Sequence, residues 1–188
     1  MNPRLRARYA EPHRAYHGQR HIDILLGLFA DIRAMLHCPE AVELAIWYHD
    51  AVYEPLSKDN ETASAALLRA ELGGLVDPAV LERAHAMVLA TRTHALPQGL
   101  CGAEASDCAY FLDMDLAILG AEPAIFAWYD AAIRREYRAV PDAEWRRRRP
   151  LVLRGFLGRE RLYLTDHFHA KLNSPARRNL VAAIEGLS

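Results

Sequence analysis

Apolar residues along most of this chain recur every three or four positions, the period of amphipathic helices. In "RHIDILLGLFADIRAML", His21, Leu25, Leu28, Phe29 and Ile32 form one stripe, and Cys38-Pro39 closes the segment. "PEAVELAIWYHDAVY" opens on a proline with acidic residues in its first turn, where the helix dipole favours them, and Pro55 ends it. "KDNETASAALLRAEL" has Asp59 or Asn60 as its cap and stops at Gly73-Gly74; "DPAVLERAHAMVLATRTHAL" starts on Asp77-Pro78 and stops before Pro97. The period lapses in "LPQGLCGAEASD", predicting a loop, and resumes in "ASDCAYFLDMDLAILG" up to Gly120. "EPAIFAWYDAAIRREYRAV" follows, then "DAEWRRRRPLVLRGFL", which Pro150 is expected to interrupt. "ERLYLTDHFHAKL" and "SPARRNLVAAIEGL" complete the chain as two separate segments, the second capped by Ser174 with Pro175 at its first position. Strand alternation and hairpin dipeptides are missing from the pattern, which predicts an all-α, single-domain helical bundle over residues 1–188.

Composition narrows the function classes. A chain of 188 residues that is 52% hydrophobic supports one sizeable core. Lys+Arg of 23 against Asp+Glu of 24 gives no global attraction to nucleic acid or to an anionic membrane, so neither is expected as a partner. Three cysteines, Cys38, Cys101 and Cys108, form no C-x-x-C pair, which argues against a disulfide framework and a zinc finger and for a reducing compartment. No signal-like or membrane-length apolar run is present, and a cytoplasmic location is expected.

Against this background, several polar residues fall on apolar faces. His17 and His21, four apart, lie about 40° apart around a helix with roughly 100° per residue. His49 continues the stripe of Val42, Ala45 and Ile46, and Asp50 sits one turn beyond Ile46. Asp113 and Asp115 are embedded in apolar sequence. Burying unpaired carboxylates costs several kcal/mol, so a partner is needed, and a metal ion shared with imidazoles supplies one. Histidine and carboxylate without thiolate suit a divalent transition metal, Mn, Fe, Co, Ni or Zn.

A histidine on one helix, an adjacent His-Asp on the next and a distant Asp in an apolar helix resemble the HD superfamily of metal-dependent phosphohydrolases. More narrowly, "YHGQRHI", "AIWYHDAVYEP", "DNETASA", "ATRTH", "FLDMDLAILG" and "IRREY" look like the successive motifs of a bacterial HD branch described as predicted metal-dependent phosphohydrolases. The resemblance runs from about Tyr16 to "ARRNL". Gly18 stands where many relatives have Asn, a change expected to affect a loop or helix start.

Carried over residue by residue, the resemblance implies His21, His49, Asp50 and Asp115 as metal ligands. His21 is preferred to His17 because Leu25 follows it at four positions, as in the superfamily pattern; His17 then stands beside the ion or on the substrate side, with a ligand role as the alternative. Asp115 is preferred to Asp113 because bulkier residues, Phe111, Leu112, Ile118 and Leu119, share its stripe, and because it fits the Asp of related "DAD" motifs. An ion so held lowers the pKa of a bound water from about 15.7 to near 7 and polarises a phosphoryl oxygen.

Glu61, at the start of the helix in "DNETASA", is a candidate for positioning water or protonating the leaving group, although an acidic residue in a first turn also stabilises a helix without any chemistry. Arg20 and His94 are the candidate phosphate contacts; without the resemblance, His94 reads as a helix C-cap. The four arginines of "WRRRRP" point all round a helix and are mostly a solvated face. The expected partner is a small phosphorylated substrate such as a nucleotide, and a homo-oligomer is compatible with the sequence. Two alternatives come from other classes. One is a di-iron HD oxidoreductase, drawing further ligands from His17, His85 and His94; the other is a non-catalytic helical module with a structural metal.

Overall fold

Helix accounts for every regular element of residues 3–187, the span described by the computed structural model: nine α-helices and two 3₁₀ segments, with no strand among the described residues. The fold is all-α, as the periodicity predicts. The ends of the expected 1–188 span lie outside the described residues. No single helix among them is long and apolar enough to cross a membrane.

Two compact units divide the chain, Met1–Met114 and Asp115–Ser188. The first holds α1 (Pro3–Tyr9), α2 (Gln19–Ile32), α3 (Pro39–Tyr48), α4 (Asn60–Leu72), α5 (Pro78–Ala90) and all of α6 (Gly102–Asp115) except its last residue. Helix α3 is its centre, packed against α2, α4 and α5. The sequence of α3 suits that place: Ala41, Val42, Ala45 and Ile46 are fully buried, and the small residues allow neighbouring helices to approach closely. Asp107 of α6, itself fully buried, accepts the backbone N–H groups of His37 at 2.9 Å and Cys38 at 2.7 Å, donors that precede α3 and would otherwise lack partners. Replacing it with alanine leaves two part-buried donors without this carboxylate. Asp107→Ala is expected to destabilise the protein by about 3 kcal/mol in denaturant unfolding; a loss below about 0.5 kcal/mol would contradict this role.

The second unit holds a 3₁₀ segment (Leu116–Gly120), α7 (Pro123–Glu136), α8 (Asp142–Leu157) and α9 (Asp166–Gly186). A Cβ on Gly120 would lie 2.7 Å from Leu172 Cβ, so glycine is what lets this segment rest against α9. Asn179 donates to Leu119 O and Ala121 O, fixing the same contact.

Five features differ from expectation. Helix α5 ends at Ala90 rather than near Leu96, and α6 begins at Gly102, inside the expected loop. Asp59 makes no side-chain cap on α4; Asn60 instead bonds the backbone N–H and carbonyl of Glu54. Pro150 does not interrupt α8, because Trp145, Arg149 and Leu153 carry one buried face across it, with Arg149 paired to Asp130. Nor does Pro175 start a helix: α9 is continuous, and Ser174 accepts from Arg178 rather than capping. Arg177 explains part of this continuity, donating to the carbonyls of Leu157, Arg159 and Glu160 and so tying the middle of α9 to the end of α8.

Candidate metal centre

Helix α2 opens with Gly18 as N-cap and presents His21 as its third residue. A Cβ at Gly18 would sit 3.1 Å from Tyr9 O, so the departure from Asn falls at a helix start where space is short. Helix α3 stops at Tyr48, which corrects the expectation that His49 and Asp50 lie within it. His49 is its C-cap, still with helical dihedrals and bonded by its N–H to Ala45 O, and Asp50 occupies the turn that follows.

These two elements converge. His21 Nε2 and His49 Nε2 are 3.1 Å apart, and Asp50 Oδ2 lies 3.0 Å from His49 Nε2 and 3.8 Å from His21 Nε2. Both imidazoles are buried, while the Asp50 side chain retains 18% exposure, leaving a way in from solvent. His21, His49 and Asp50 are a group that can hold a metal ion, as the sequence predicts for these three.

The chemistry of the donors supports that fit. His49 Nδ1 lies 3.0 Å from Ile46 O, and a carbonyl only accepts, so Nδ1 carries a hydrogen and Nε2 is the nitrogen that faces His21 and Asp50. Unprotonated, that Nε2 offers its lone pair to a cation placed between the carboxylate and the second imidazole. Ligand bonds of about 2.1 Å with angles of 90–110° place neighbouring donors about 3.0–3.4 Å apart, and two of the three separations fall at that spacing. Burial pushes the Asp50 carboxyl up, but the imidazoles of His49, His17 and His21 outweigh it and hold the group well below the usual carboxylate range. Asp50 is therefore an anionic donor at neutral pH.

The surrounding residues hold these ligands in place. Phe111 of α6 packs edge-on against His49, with ring centroids 5.8 Å apart, and Tyr16 lies 4.9 Å from the His21 ring. Buried Ser64 of α4 accepts from Val52 N and donates to Val52 O, steadying the chain just past Asp50. Arg14, which the sequence reading does not single out, donates to the carbonyls of Asp50 and Ala51. No spacing rule could have found this link, because the partners it reaches there are the backbone oxygens of Asp50 and Ala51, 36 and 37 residues away.

The other expected residues are placed as follows. His17 is half-buried, its ring 4.4 Å from Tyr53 and 6.0 Å from His21; it is outside the three-residue group, yet near enough for its charge to act on Asp50. Arg20 is exposed on the first turn of α2. Glu61, in the first turn of α4, pairs at 3.5 Å with Arg92, which also donates to Lys58 O and Thr62 Oγ1. His94 lies past α5 in the left-handed region with φ 48° and returns its N–H to Ala90 O, so its backbone closes the helix. His85 stands beside Arg69, and neither it nor His94 joins the group.

Depth does not favour Asp115, contrary to the reading from its bulky neighbours. Asp113 is 1% exposed, whereas Asp115 is half-buried at the end of α6 and opens the second unit. Helix α6 is covered on nearly every side from Asp107 to Met114, so the size of stripe neighbours does not measure depth there. In "WRRRRP", Arg149 is buried against Asp130 and the other three arginines are exposed. Comparison with models of protein families, with curated proteins and with solved structures gave no match.

Proposed function

We propose that this chain is a metal-dependent phosphohydrolase of the HD type, cleaving a phosphate ester of a nucleotide or another small metabolite. The observation that carries the reading is the meeting of His21 Nε2, His49 Nε2 and the ionised Asp50 carboxylate, with the His49 tautomer set by Ile46 O. A divalent transition metal bound there supplies Lewis acidity towards a phosphoryl oxygen and acidifies a water at neutral pH. The chain's own residues do the rest. His21 and His49 present neutral donors from a buried floor, and Asp50 brings the negative charge that favours a dication over a monocation. His17, close enough for its charge to act on Asp50, is assigned to the substrate side of the centre. Glu61 is assigned proton transfer to the leaving group, with Arg92 holding its carboxylate, and His94 and Arg20 are assigned to the phosphate.

A fourth ligand is proposed from the sequence pattern at Asp115. Metal analysis of two variants tests this: Asp115→Ala is expected to lose most bound metal and Asp113→Ala to keep most of it, and the reverse result would transfer the role to Asp113. The reaction itself is tested by screening phosphorylated metabolites with protein loaded separately with Mn, Co, Ni and Zn. Hydrolysis of at least one ester in a metal-dependent manner is expected; no turnover across the panel with any metal would refute the reading.

A further inference from the structure

We infer that Arg14 is a positioning residue of this centre, setting the places of Asp50 and His17 together and thereby the affinity and coordination geometry of the bound metal. The inference rests on the metal reading above. The Arg14 side chain has no exposed surface, and a buried guanidinium persists only where its donors are satisfied. Its Nε donates to Glu11 Oε2 at 2.9 Å, its Nη2 to Ala51 O at 3.2 Å, and its Nη1 to both His17 O at 3.0 Å and Asp50 O at 2.7 Å. Only one of these partners is a carboxylate. The others are main-chain oxygens flanking the metal ligands: Asp50 and Ala51 in the turn after α3, and His17 just ahead of α2.

The two hydrogens of Nη1 therefore span the chain that leads into His21 and the chain that leaves His49. A planar fork fixes that gap in a way a single ammonium cannot. Tyr9 and Tyr53 face the guanidinium, with its central carbon 5.2 and 5.4 Å from their ring centroids, which limits its movement. Tyr9 is itself anchored, its hydroxyl donating to Trp47 O at 2.9 Å, and Tyr53 carries the His17 ring at 4.4 Å. Helix α1 and the segment after it thus belong to the metal centre through one cation.

Arg177 provides a control of the same chemistry elsewhere, since it also donates to three main-chain carbonyls, in the second unit. The full-length protein, stripped with chelator, is titrated with Co²⁺ by calorimetry, the visible spectrum of the bound ion is recorded, and the metal-free protein is melted. Arg14→Lys is expected to weaken Co²⁺ binding about 10- to 100-fold, the range for partners that orient ligands, and to alter the visible bands. Arg177→Lys is expected to lower the melting temperature while leaving affinity and spectrum as in wild type. Arg14→Gln, without the charge, is expected to lose more affinity than Arg14→Lys; the lysine variant keeps the charge and carries the test if the glutamine variant does not fold. A folded Arg14→Lys with wild-type affinity and spectrum would overturn the role of Arg14 while leaving the metal reading intact. Wild-type protein that binds no Co²⁺ would instead defeat the metal reading, and this proposal with it.

Discussion

His49→Ala and Asp50→Ala are each expected to abolish metal binding, lowering affinity by more than the roughly 100-fold that loss of an outer partner costs. Each substitution removes a donor from a set of three, two of whose separations already match one coordination edge. Asp50→Asn keeps the shape but removes the charge, so it is expected to bind more weakly than wild type and better than Asp50→Ala. Acidity should act in the same direction, because protons compete with the ion for the two Nε2 atoms, and metal is released as pH falls. The carboxyl of Asp50 adds a separate effect on the metal-free protein. Its folded value lies below its unfolded one, so the stability it contributes is present above about pH 4 and is lost as pH falls further. The stability gap between wild type and Asp50→Asn should therefore narrow in acid. Full metal content in both alanine variants would contradict the assignment.

Glu61→Gln is expected to lower turnover of the best phosphate ester by about 10²- to 10⁴-fold, the range for loss of a proton-transfer group, and His94→Ala, which removes a phosphate contact, is expected to lower it as well, while the metal remains bound. Folding should not confuse the first result. Glu61 pairs with Arg92 near the surface at 3.5 Å, and such pairs contribute about 0–1 kcal/mol. His94 needs more care, since its φ of 48° suits alanine poorly. Asparagine tolerates that backbone, so His94→Asn isolates the imidazole and should be as slow as His94→Ala. Activity of the wild type should require added divalent metal and rise with pH through an ionisation near neutrality. Wild-type rates in both Glu61→Gln and His94→Asn, with metal retained, would remove their proposed roles. If instead no ester is turned over with any metal and bound iron reacts with oxygen, the oxidoreductase reading takes first place.

The helical class and the inward placement of His21 and His49 were legible because both follow from local spacing. His21 falls on the stripe of Leu25 and Ile32, and His49 on that of Ala45 and Ile46; burying those faces brought the imidazoles in with them. Proline misled where packing was stronger. Phe168, Leu172, Ala176, Leu180 and Ile184 recur every four residues straight across Pro175, so the evidence for one helix was present in the sequence but was overridden by a local stop signal. The end of α3 at Tyr48 was hidden for another reason: the turn that carries Asp50 is held by Arg14 and Ser64, long-range partners with no periodic trace. Depth along α6 was unreadable from neighbour size, because a helix covered on nearly all sides has no single stripe to compare.

Anomalous diffraction from crystals of the Co²⁺-loaded protein would locate a divalent ion held among His21 Nε2, His49 Nε2 and Asp50 Oδ2. A single strong peak is expected about 2.0–2.2 Å from both Nε2 atoms and from the Asp50 carboxylate. A Co²⁺ peak elsewhere in the molecule, with His21 and His49 still in contact with each other and no density between them, would contradict that placement.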